Sequence, residues 1–281
     1  MFSVTLCRLI VNTIQPICVR YALAILVDME RPRKSEAKTP FRSELLESTV
    51  SPRHAGREKL FELEDHPDKI IRVETFEKLR ELYRGKADPR TIVAVGKVLF
   101  KELEHSLNVT IPVEFVVGNA EKKKDGKEQE VVYEIVDKIQ GENLVKVSPT
   151  PEIAAQVSAL YARLAEYYLA KATREELYLV DLHRASQYVY GTRSDDARPQ
   201  LYLVDTDLYM YSSKVPLYKQ VFDLAVEIEG LEGKFGVTFV EARKVLKTFL
   251  DEVVIETPEE KVRLEIEKFR AMLGYLLSEG E

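Results

Sequence analysis

The stretch that most constrains the fold is residues 177–211, which predicts two short strands joined by a polar loop. Tyr188–Tyr190 and Leu201–Val204 are apolar, and the segment GTRSDDARPQ between them carries the glycine, proline and charge that are typical of a turn. Asp181 stands before the first strand and Asp205 after the second. Because the start of one strand of a hairpin lies beside the end of the other, we expect the two carboxylates at the same edge of the sheet.

The acidic segments on either side of this hairpin resemble the catalytic hairpin of the protein-kinase-like fold. In that family an Asp opens a loop of the form D-L-x-x-x-N, often D-L-H-x-x-N in small-molecule kinases, and a second Asp follows in D-F-G or D-x-D. The chain has DLHRAS from Asp181 to Ser186, and VDTD from Val204. The resemblance implies that Asp181 orients or deprotonates an attacking hydroxyl, and that Asp205 holds the Mg²⁺ that bridges the phosphates of ATP.

The chain departs from the family pattern at two positions near Asp181. The metal-binding Asn of the family falls on Ser186 or, one place on, on Gln187, and a serine hydroxyl is a poorer ligand for a hard cation than an amide oxygen. The His that the family has two places before the first Asp is Leu179 here. These departures favour a degenerate relative, whereas the two retained carboxylates favour an enzyme.

Residues 44–74 predict strands, and the resemblance gives two of their residues a role at the nucleotide phosphates. Gly56 is the one glycine of the candidate phosphate loop, and Arg72 falls where the family has a third-strand lysine. The alternative is that Gly56 is an ordinary turn residue and Arg72 a solvated strand residue. The kinase-like interpretation also requires a helical glutamate to hold Arg72. The sequence offers three candidates and does not choose among them: Glu77, Glu81 and Glu102.

Residues 111–136 predict a second hairpin, with Asp125-Gly126 as its turn signal. The following segment DKIQGENL, at 137–144, resembles the hinge of small-molecule kinases. The resemblance implies that backbone groups of Tyr133–Val136, Tyr133 and Ile135 among them, meet the edge of an adenine ring. The alternative is an edge strand that leads into a loop.

The second half of the chain predicts mainly helices. Thr150 followed by Pro151 and Glu152 is a helix start, and apolar residues at helical spacing continue to about residue 171. Further helices are expected at about 216–229, 238–255 and 258–278. No A-P-E-like motif follows Asp205, and the helical part is small. The closest pattern is therefore that of the aminoglycoside-phosphotransferase-like small-molecule kinases.

Charge and cysteine content limit the classes of function. The chain has 281 residues and a net charge of −6, which does not predict a nucleic-acid partner. Its two cysteines, Cys7 and Cys18, do not have the spacing of a disulfide framework or a metal site, so we expect a reducing compartment, the cytoplasm. The longest uncharged run near the N-terminus, Leu9–Val19, is too short to cross a bilayer, so we expect no integral membrane span.

The first 43 residues are interpreted as an apolar N-terminal extension, 1–28, followed by a charged linker, 30–43. Three readings of 1–28 compete: a helix or strand pair packed on the body, a membrane-associating leader, or extra sequence from an over-called start codon. We favour a non-catalytic extension.

The sequence as a whole predicts an α+β, two-lobed protein-kinase-like fold, with a strand-rich N-lobe at 44–144 and a small helical C-lobe at 145–281. The expected function is transfer of the ATP γ-phosphate to a hydroxyl of an unknown small-molecule or protein acceptor, with ATP and Mg²⁺ as cofactors. A pseudokinase that binds nucleotide or acts as a scaffold is the main alternative. A globular protein whose hairpin only imitates the motif is the third.

Overall fold

The structure is a computed structural model that describes residues 60–62, 68–83, 88–121, 128–174, 176–193, 196, 198–205, 210–211, 214–254 and 257–278. Gly56 and the segments 1–28 and 30–43 lie outside the described residues. The chain divides into two units. Unit 1 takes in the described residues up to Val98 and Pro112–Lys138, and unit 2 takes in Leu99–Ile111 and the described residues from Ile139 onward.

Unit 1 is built on a four-stranded antiparallel sheet, and its order along the sheet is β1-β2-β4-β3. The strands are β1 at Leu60–Glu62, β2 at Lys69–Thr75, β3 at Val113–Glu121 and β4 at Glu128–Asp137. Between β2 and β3 the chain forms helix α1 at Phe76–Leu82 and helix α2 at Pro89–Leu107, whose last residues from Leu99 belong to unit 2.

Both helices begin at side-chain caps that satisfy backbone N–H groups at their first turn. The Thr75 hydroxyl accepts the N–H of Lys78 at 3.1 Å, and the Asp88 carboxylate accepts the N–H of Thr91 at 3.2 Å. Pro89, directly after Asp88, occupies a helix position where its missing N–H costs nothing. In the sequence, Asp88 followed by Pro89 predicts a capped helix start, and the structure confirms it.

Strand β4 is the centre of this sheet, because it pairs with β2 on one side and with β3 on the other. Its residues from Val131 to Val136 are all buried, and because successive side chains point to opposite faces, this stretch is covered on both faces of the sheet. The hairpin predicted over 111–136 is confirmed by the pairing of β3 with β4.

Unit 2 is mainly helical and carries two small antiparallel sheets, β5-β7-β8 and β6-β9. Its strands are β5 at Gln140–Asn143, β6 at Tyr178–Leu179, β7 at Tyr188–Thr192, β8 at Gln200–Leu203 and β9 at Met210–Tyr211. Its helices are α3 at Pro151–Arg174, α4 at Lys214–Phe235, α5 at Val240–Glu252 and α6 at Glu260–Ser278. The α+β class is confirmed, and none of the helices that the structure describes is long and apolar enough to cross a bilayer.

Helix α3 is the central element of unit 2. The Thr150 hydroxyl accepts the N–H of Ile153 at 3.2 Å, which confirms the predicted start. The predicted apolar face is buried, and the helix also buries Tyr161, Tyr167 and Tyr168. Its packing partners include α4 and α5. A buried tyrosine carries a hydroxyl that needs a hydrogen bond, so this tyrosine-rich core demands polar partners nearby.

The segment Gln140–Asn143 belongs to unit 2, which differs from the lobe boundary expected after residue 144. It forms β5 and pairs with β7, and the N–H of Leu144 donates to the carbonyl of Tyr188 at 2.9 Å. Gly141 and Gly191 face each other across this pair. A Cβ at Gly141 would overlap the carbonyl oxygen of Tyr190 and lie 2.6 Å from Cα of Gly191. Glycine at 141 is therefore required by the close approach of two backbones.

We expect Gly141→Ala to lower the free energy of unfolding by about 2–3 kcal/mol, because the new methyl group meets backbone atoms that cannot move aside. The matched control is Gly230→Ala in α4, where an added Cβ meets no heavy atom within 4 Å. That change should raise stability by up to about 1 kcal/mol through helix propensity. Urea unfolding of both variants measures the effect, and a neutral Gly141→Ala would contradict the described pairing of β5 with β7.

Candidate functional site

The hairpin predicted between Asp181 and Asp205 is present in unit 2. Strands β7 and β8 are antiparallel, with Tyr188 opposite Leu203 and Gly191 opposite Gln200. The N–H of Val204 donates to the carbonyl of Gln187 at 2.9 Å, which extends the pairing by one step. Ser186 directly precedes Gln187 in the 3₁₀ turn Ala185–Gln187, and Asp205 directly follows Val204. The loop that begins at Asp181 and the residue that follows β8 therefore lie at the same end of the hairpin, as the sequence predicted.

Asp181 adopts a left-handed backbone conformation, with φ of +60°. This region is uncommon for any residue other than glycine and costs backbone energy, although Asp tolerates it better than most. The backbone N–H of Asp181 donates to Oε1 of Gln220 at 2.7 Å. The carboxylate itself is 39% exposed, so a strained, anchored backbone presents a side chain that solvent can reach. Strained residues of this kind are often found at functional sites.

The loop around Asp181 is held by hydrogen bonds between its backbone and side chains from elsewhere in unit 2. Before Asp181, the N–H of Leu179 donates to the Tyr167 hydroxyl at 3.1 Å. After it, the carbonyls of Leu182 and His183 accept hydrogen bonds from Tyr188 and Tyr161, each at 2.7 Å, and the N–H of Ala185 donates to Glu227 at 2.8 Å. Such bonds fix the path of the loop on both sides of Asp181.

The tyrosines that hold the loop carry their protons at any physiological pH. Burial raises the pKa of the Tyr161 hydroxyl well above its usual value, and neighbouring Tyr188 and Glu227 add to the effect. Burial also raises the pKa of Tyr188 and of Tyr167. Tyr161 and Tyr188 therefore remain hydrogen-bond donors to the loop carbonyls.

Two side chains next to Asp181 differ in exposure and charge. His183 is buried, and among the described residues its Nδ1 has no hydrogen-bond partner. Burial lowers its pKa, only partly opposed by the charges of Asp223 and Asp181, so the ring is neutral at pH 7. Arg184 is 55% exposed, and its Nη2 lies 3.6 Å from Oδ1 of Asp181. A positive charge therefore stands beside the candidate catalytic carboxylate.

The predicted metal ligands lie where the two strands of the hairpin end. Ser186 and Asp205 are both exposed, and Asn143 Nδ2 donates to the backbone carbonyl of Ser186. Gln187 is 8% exposed, and its Oε1 has no hydrogen-bond partner among the described residues. A carboxylate and a hydroxyl facing solvent suit Mg²⁺, which prefers oxygen ligands and keeps several waters or phosphate oxygens.

Within the part of the chain that the structure describes, no group of three or more His, Cys, Asp or Glu side chains could hold a metal ion by itself. A cation at Asp205 would thus require oxygen ligands from water or from a bound polyphosphate, which is how Mg²⁺ binds at many nucleotide sites. The residues present fit such a shared site.

In unit 1, Arg72 lies on β2 and forms an ion pair with Glu134 of β4. The two residues are directly opposite in the sheet, and Arg72 Nη1 lies 3.5 Å from Glu134 Oε1. This strand glutamate was not among the predicted partners. Of those, Glu77 and Glu81 are exposed on α1, and Glu102 pairs with Lys171 in unit 2. The pairing of Arg72 with Glu134 follows from β-sheet geometry, because side chains of directly opposite residues lie on the same face of the sheet and meet.

Tyr133 and Ile135 lie on the central strand, which corrects the adenine-edge prediction. Tyr133 is paired with Val73 and Val116, and Ile135 with Ile71 and Glu114. A strand with neighbours on both sides has its backbone N–H and C=O groups committed to the sheet, so residues 133–136 cannot offer them to a base. The alternative prediction, that these residues form an edge strand, is also wrong, because β4 is paired on both sides. Gly56 and Asp207 lie outside the described residues.

The residues that hold the loop were not found from the sequence. Gln220 lies 39 positions from Asp181, and Glu227 lies 42 positions from Ala185. A helical glutamine or glutamate carries no local signal that distinguishes it from a solvated one. The buried tyrosines of α3 and the tyrosine at the start of β7 gave the only hint, because buried hydroxyls need partners. No protein-family model matches this chain, and no match to a curated protein was found.

The left-handed conformation of Asp181 has a measurable consequence for stability. We expect Asp181→Gly to be more stable than Asp181→Ala by about 1 kcal/mol, because glycine adopts positive φ without a Cβ clash. Arg184 is the matched control, since its φ is −73° and its ψ 122°. There the order should reverse, with Arg184→Ala more stable than Arg184→Gly by about 0.5–1 kcal/mol.

Denaturant unfolding of the four variants decides the point. If alanine at 181 is as stable as glycine while the Arg184 pair behaves as expected, Asp181 does not have a left-handed conformation in solution.

Proposed function

We propose that this chain is a kinase-like phosphotransferase that moves the γ-phosphate of ATP to a hydroxyl of an acceptor. The observation that supports this most is the pairing of β7 with β8, with the loop of Asp181 entering the first strand and Asp205 following the second. This is the order in which the kinase-like pattern places its acceptor-handling and metal-binding carboxylates.

In this proposal Asp181 handles the acceptor hydroxyl. Phosphoryl transfer depends mostly on holding the reacting groups in place and on balancing charge, so a fixed carboxylate is more effective than a mobile one. Asp181 meets that need, because its loop is anchored: Tyr161 and Tyr188 donate hydrogen bonds to loop carbonyls, and Gln220 accepts the N–H of Asp181. Its exposure leaves room for an acceptor to approach.

Mg²⁺ would be held by Asp205 and Ser186, with Gln187 as the other candidate ligand. When bound, the ion would neutralise charge on the phosphate oxygens. Asp205 would supply the anionic oxygen, and Asn143 anchors Ser186 by donating to its backbone carbonyl. The buried Oε1 of Gln187 is an amide oxygen, the stronger ligand type, but it is much less accessible than the Ser186 hydroxyl.

The observed strand pairing in unit 1 alters the nucleotide contacts that the sequence predicted for Arg72 and for residues 133–136. Arg72 can contact a phosphate only while it shares its charge with Glu134. Adenine contacts through the backbone would shift beyond the end of β4, to the chain after Lys138, whose own N–H donates to the carbonyl of Asp68 at 2.7 Å.

A degenerate kinase-like protein that binds nucleotide without transfer is the second candidate, and the Arg72 pair favours it. The side chains of Arg72 and Glu134 are only 16% and 7% exposed, so the charge of this cation is largely balanced within the sheet. In the kinase-like pattern that cation serves the phosphates and is held by a helical glutamate. The two retained carboxylates favour the enzyme instead.

Paired measurements on two aspartates separate these functions. We expect Asp205→Asn to weaken ATP binding in the presence of Mg²⁺ by about tenfold or more and to abolish turnover, because the amide removes an anionic metal ligand. Asp181→Asn should change ATP affinity by less than about twofold and lower turnover by about 100-fold or more, since it acts on the acceptor. Calorimetric titration gives the affinity, and phosphate release from ATP gives the turnover.

Asp251→Asn is the matched control, because Asp251 is an exposed aspartate near the end of α5. It should leave both quantities unchanged. Turnover that survives Asp205→Asn would rule out the proposed metal ligand. ATP binding without turnover by the wild type, over a broad panel of hydroxyl acceptors, would favour the degenerate protein.

A further inference from the structure

Helix α4 contacts the Asp181 loop through two side chains on one of its faces. Gln220 accepts the N–H of Asp181 at 2.7 Å, and Glu227 accepts the N–H of Ala185 at 2.8 Å. The two acceptors are seven positions apart, which is close to two helical turns and puts them on the same side of the helix. One rigid element therefore holds the loop at the candidate catalytic residue and again at the start of the 3₁₀ turn, Ala185–Gln187.

Gln220 is the contact that acts on Asp181 itself. Its side chain is buried, with 6% of the residue exposed. The left-handed conformation of Asp181 directs the backbone N–H to Gln220 Oε1 at good hydrogen-bond geometry. Without an acceptor, this part-buried N–H would lose a hydrogen bond, and the strained conformation would lose the interaction that balances its cost.

The amide of Gln220 also suits its charged surroundings. Asp181, Asp223 and Glu227 contribute negative charge around the loop, as their effect on His183 shows. A neutral amide oxygen accepts the N–H without adding another negative charge beside Asp181. Gln220 therefore holds the N–H of Asp181 in place without changing the net charge around the loop.

We propose that Gln220 is a positioning residue that holds Asp181 in its left-handed conformation and thereby aims the carboxylate. The role of Gln220 in catalysis rests on the proposed phosphotransfer, whereas its effect on the backbone of Asp181 does not. Asp181 would thus depend on a helix that begins 33 residues after it in sequence, at Lys214. Nucleotide binding through Asp205 would not depend on this contact.

The test compares Gln220→Met, which keeps the side-chain length without an acceptor, with Gln220→Glu, which keeps an acceptor oxygen. In Gln220→Met the amide of Asp181 should exchange with solvent about tenfold faster or more, and its backbone chemical shifts should leave the left-handed range. ATP turnover should fall about 10- to 100-fold while KM for ATP stays within about twofold, because misalignment affects the transfer step alone. Gln220→Glu should restore amide protection but only part of the turnover, because its carboxylate keeps the acceptor oxygen and adds a negative charge beside Asp181.

Lys219→Met is the control for the substitution itself. Lys219 precedes Gln220 on α4, is exposed, and pairs with Asp223 on the surface. It should change neither exchange at Asp181 nor turnover by more than about twofold, since exposed ion pairs contribute little. If Gln220→Met does not fold, Gln220→Asn, whose oxygen is one methylene short of the loop, has the same expected results.

The outcomes separate this inference from the proposed function. Unchanged exchange and shifts at Asp181 in Gln220→Met overturn the positioning role, whatever the turnover. Turnover and ATP affinity that fall together, or that fall equally in Lys219→Met, overturn it in favour of a general structural role. If the wild type shows no ATP turnover, the phosphotransfer proposal fails, and the exchange and shifts of Asp181 alone decide whether Gln220 holds its backbone.

Discussion

The structure of unit 2 depends on satisfying backbone groups of a loop that crosses a buried, tyrosine-rich core. Unpaired N–H and C=O groups in such a place each cost about 1–3 kcal/mol. Tyrosine hydroxyls satisfy several of these groups, because Tyr161 and Tyr188 donate to loop carbonyls and Tyr167 accepts the N–H of Leu179, just before the loop. Helix α4 satisfies two more, because Gln220 and Glu227 accept the N–H groups of Asp181 and Ala185. The result is a loop whose path is fixed while the Asp181 carboxylate stays accessible.

This constraint links the composition of the chain to its candidate chemistry. A leucine or phenylalanine core would fill the same space but would leave the loop carbonyls without donors. Tyr161 and Tyr167 of α3 therefore contribute packing and hydrogen bonding at once. Burial keeps their hydroxyls protonated, so the support does not vary over the pH range in which a carboxylate and a metal–nucleotide complex would act.

The sequence predicted those features that local chemistry determines. The hairpin at 188–203, the capped starts at Asp88 and Thr150 and the strand pair over 111–136 follow from turn residues, caps and periodicity, and the structure has all of them. The sequence did not predict which strand would be central. That position depends on strand order in the sheet, which is why the adenine-edge role of Tyr133 and Ile135 was wrong. The partners Glu134 and Gln220 were also missed, because they meet Arg72 and Asp181 only through sheet register and helix packing.

The central claim is that the end of the β7–β8 hairpin binds the metal–nucleotide complex. The most direct measurement is a crystal structure with a non-hydrolysable ATP analogue and Mn²⁺, in which anomalous scattering locates the ion. Our account predicts an anomalous peak at coordination distance, about 2–2.5 Å, from a carboxylate oxygen of Asp205, with the analogue's phosphates completing the ligand set. A peak or a bound analogue elsewhere on the molecule, with the Asp205 carboxylate remote from both, would contradict it.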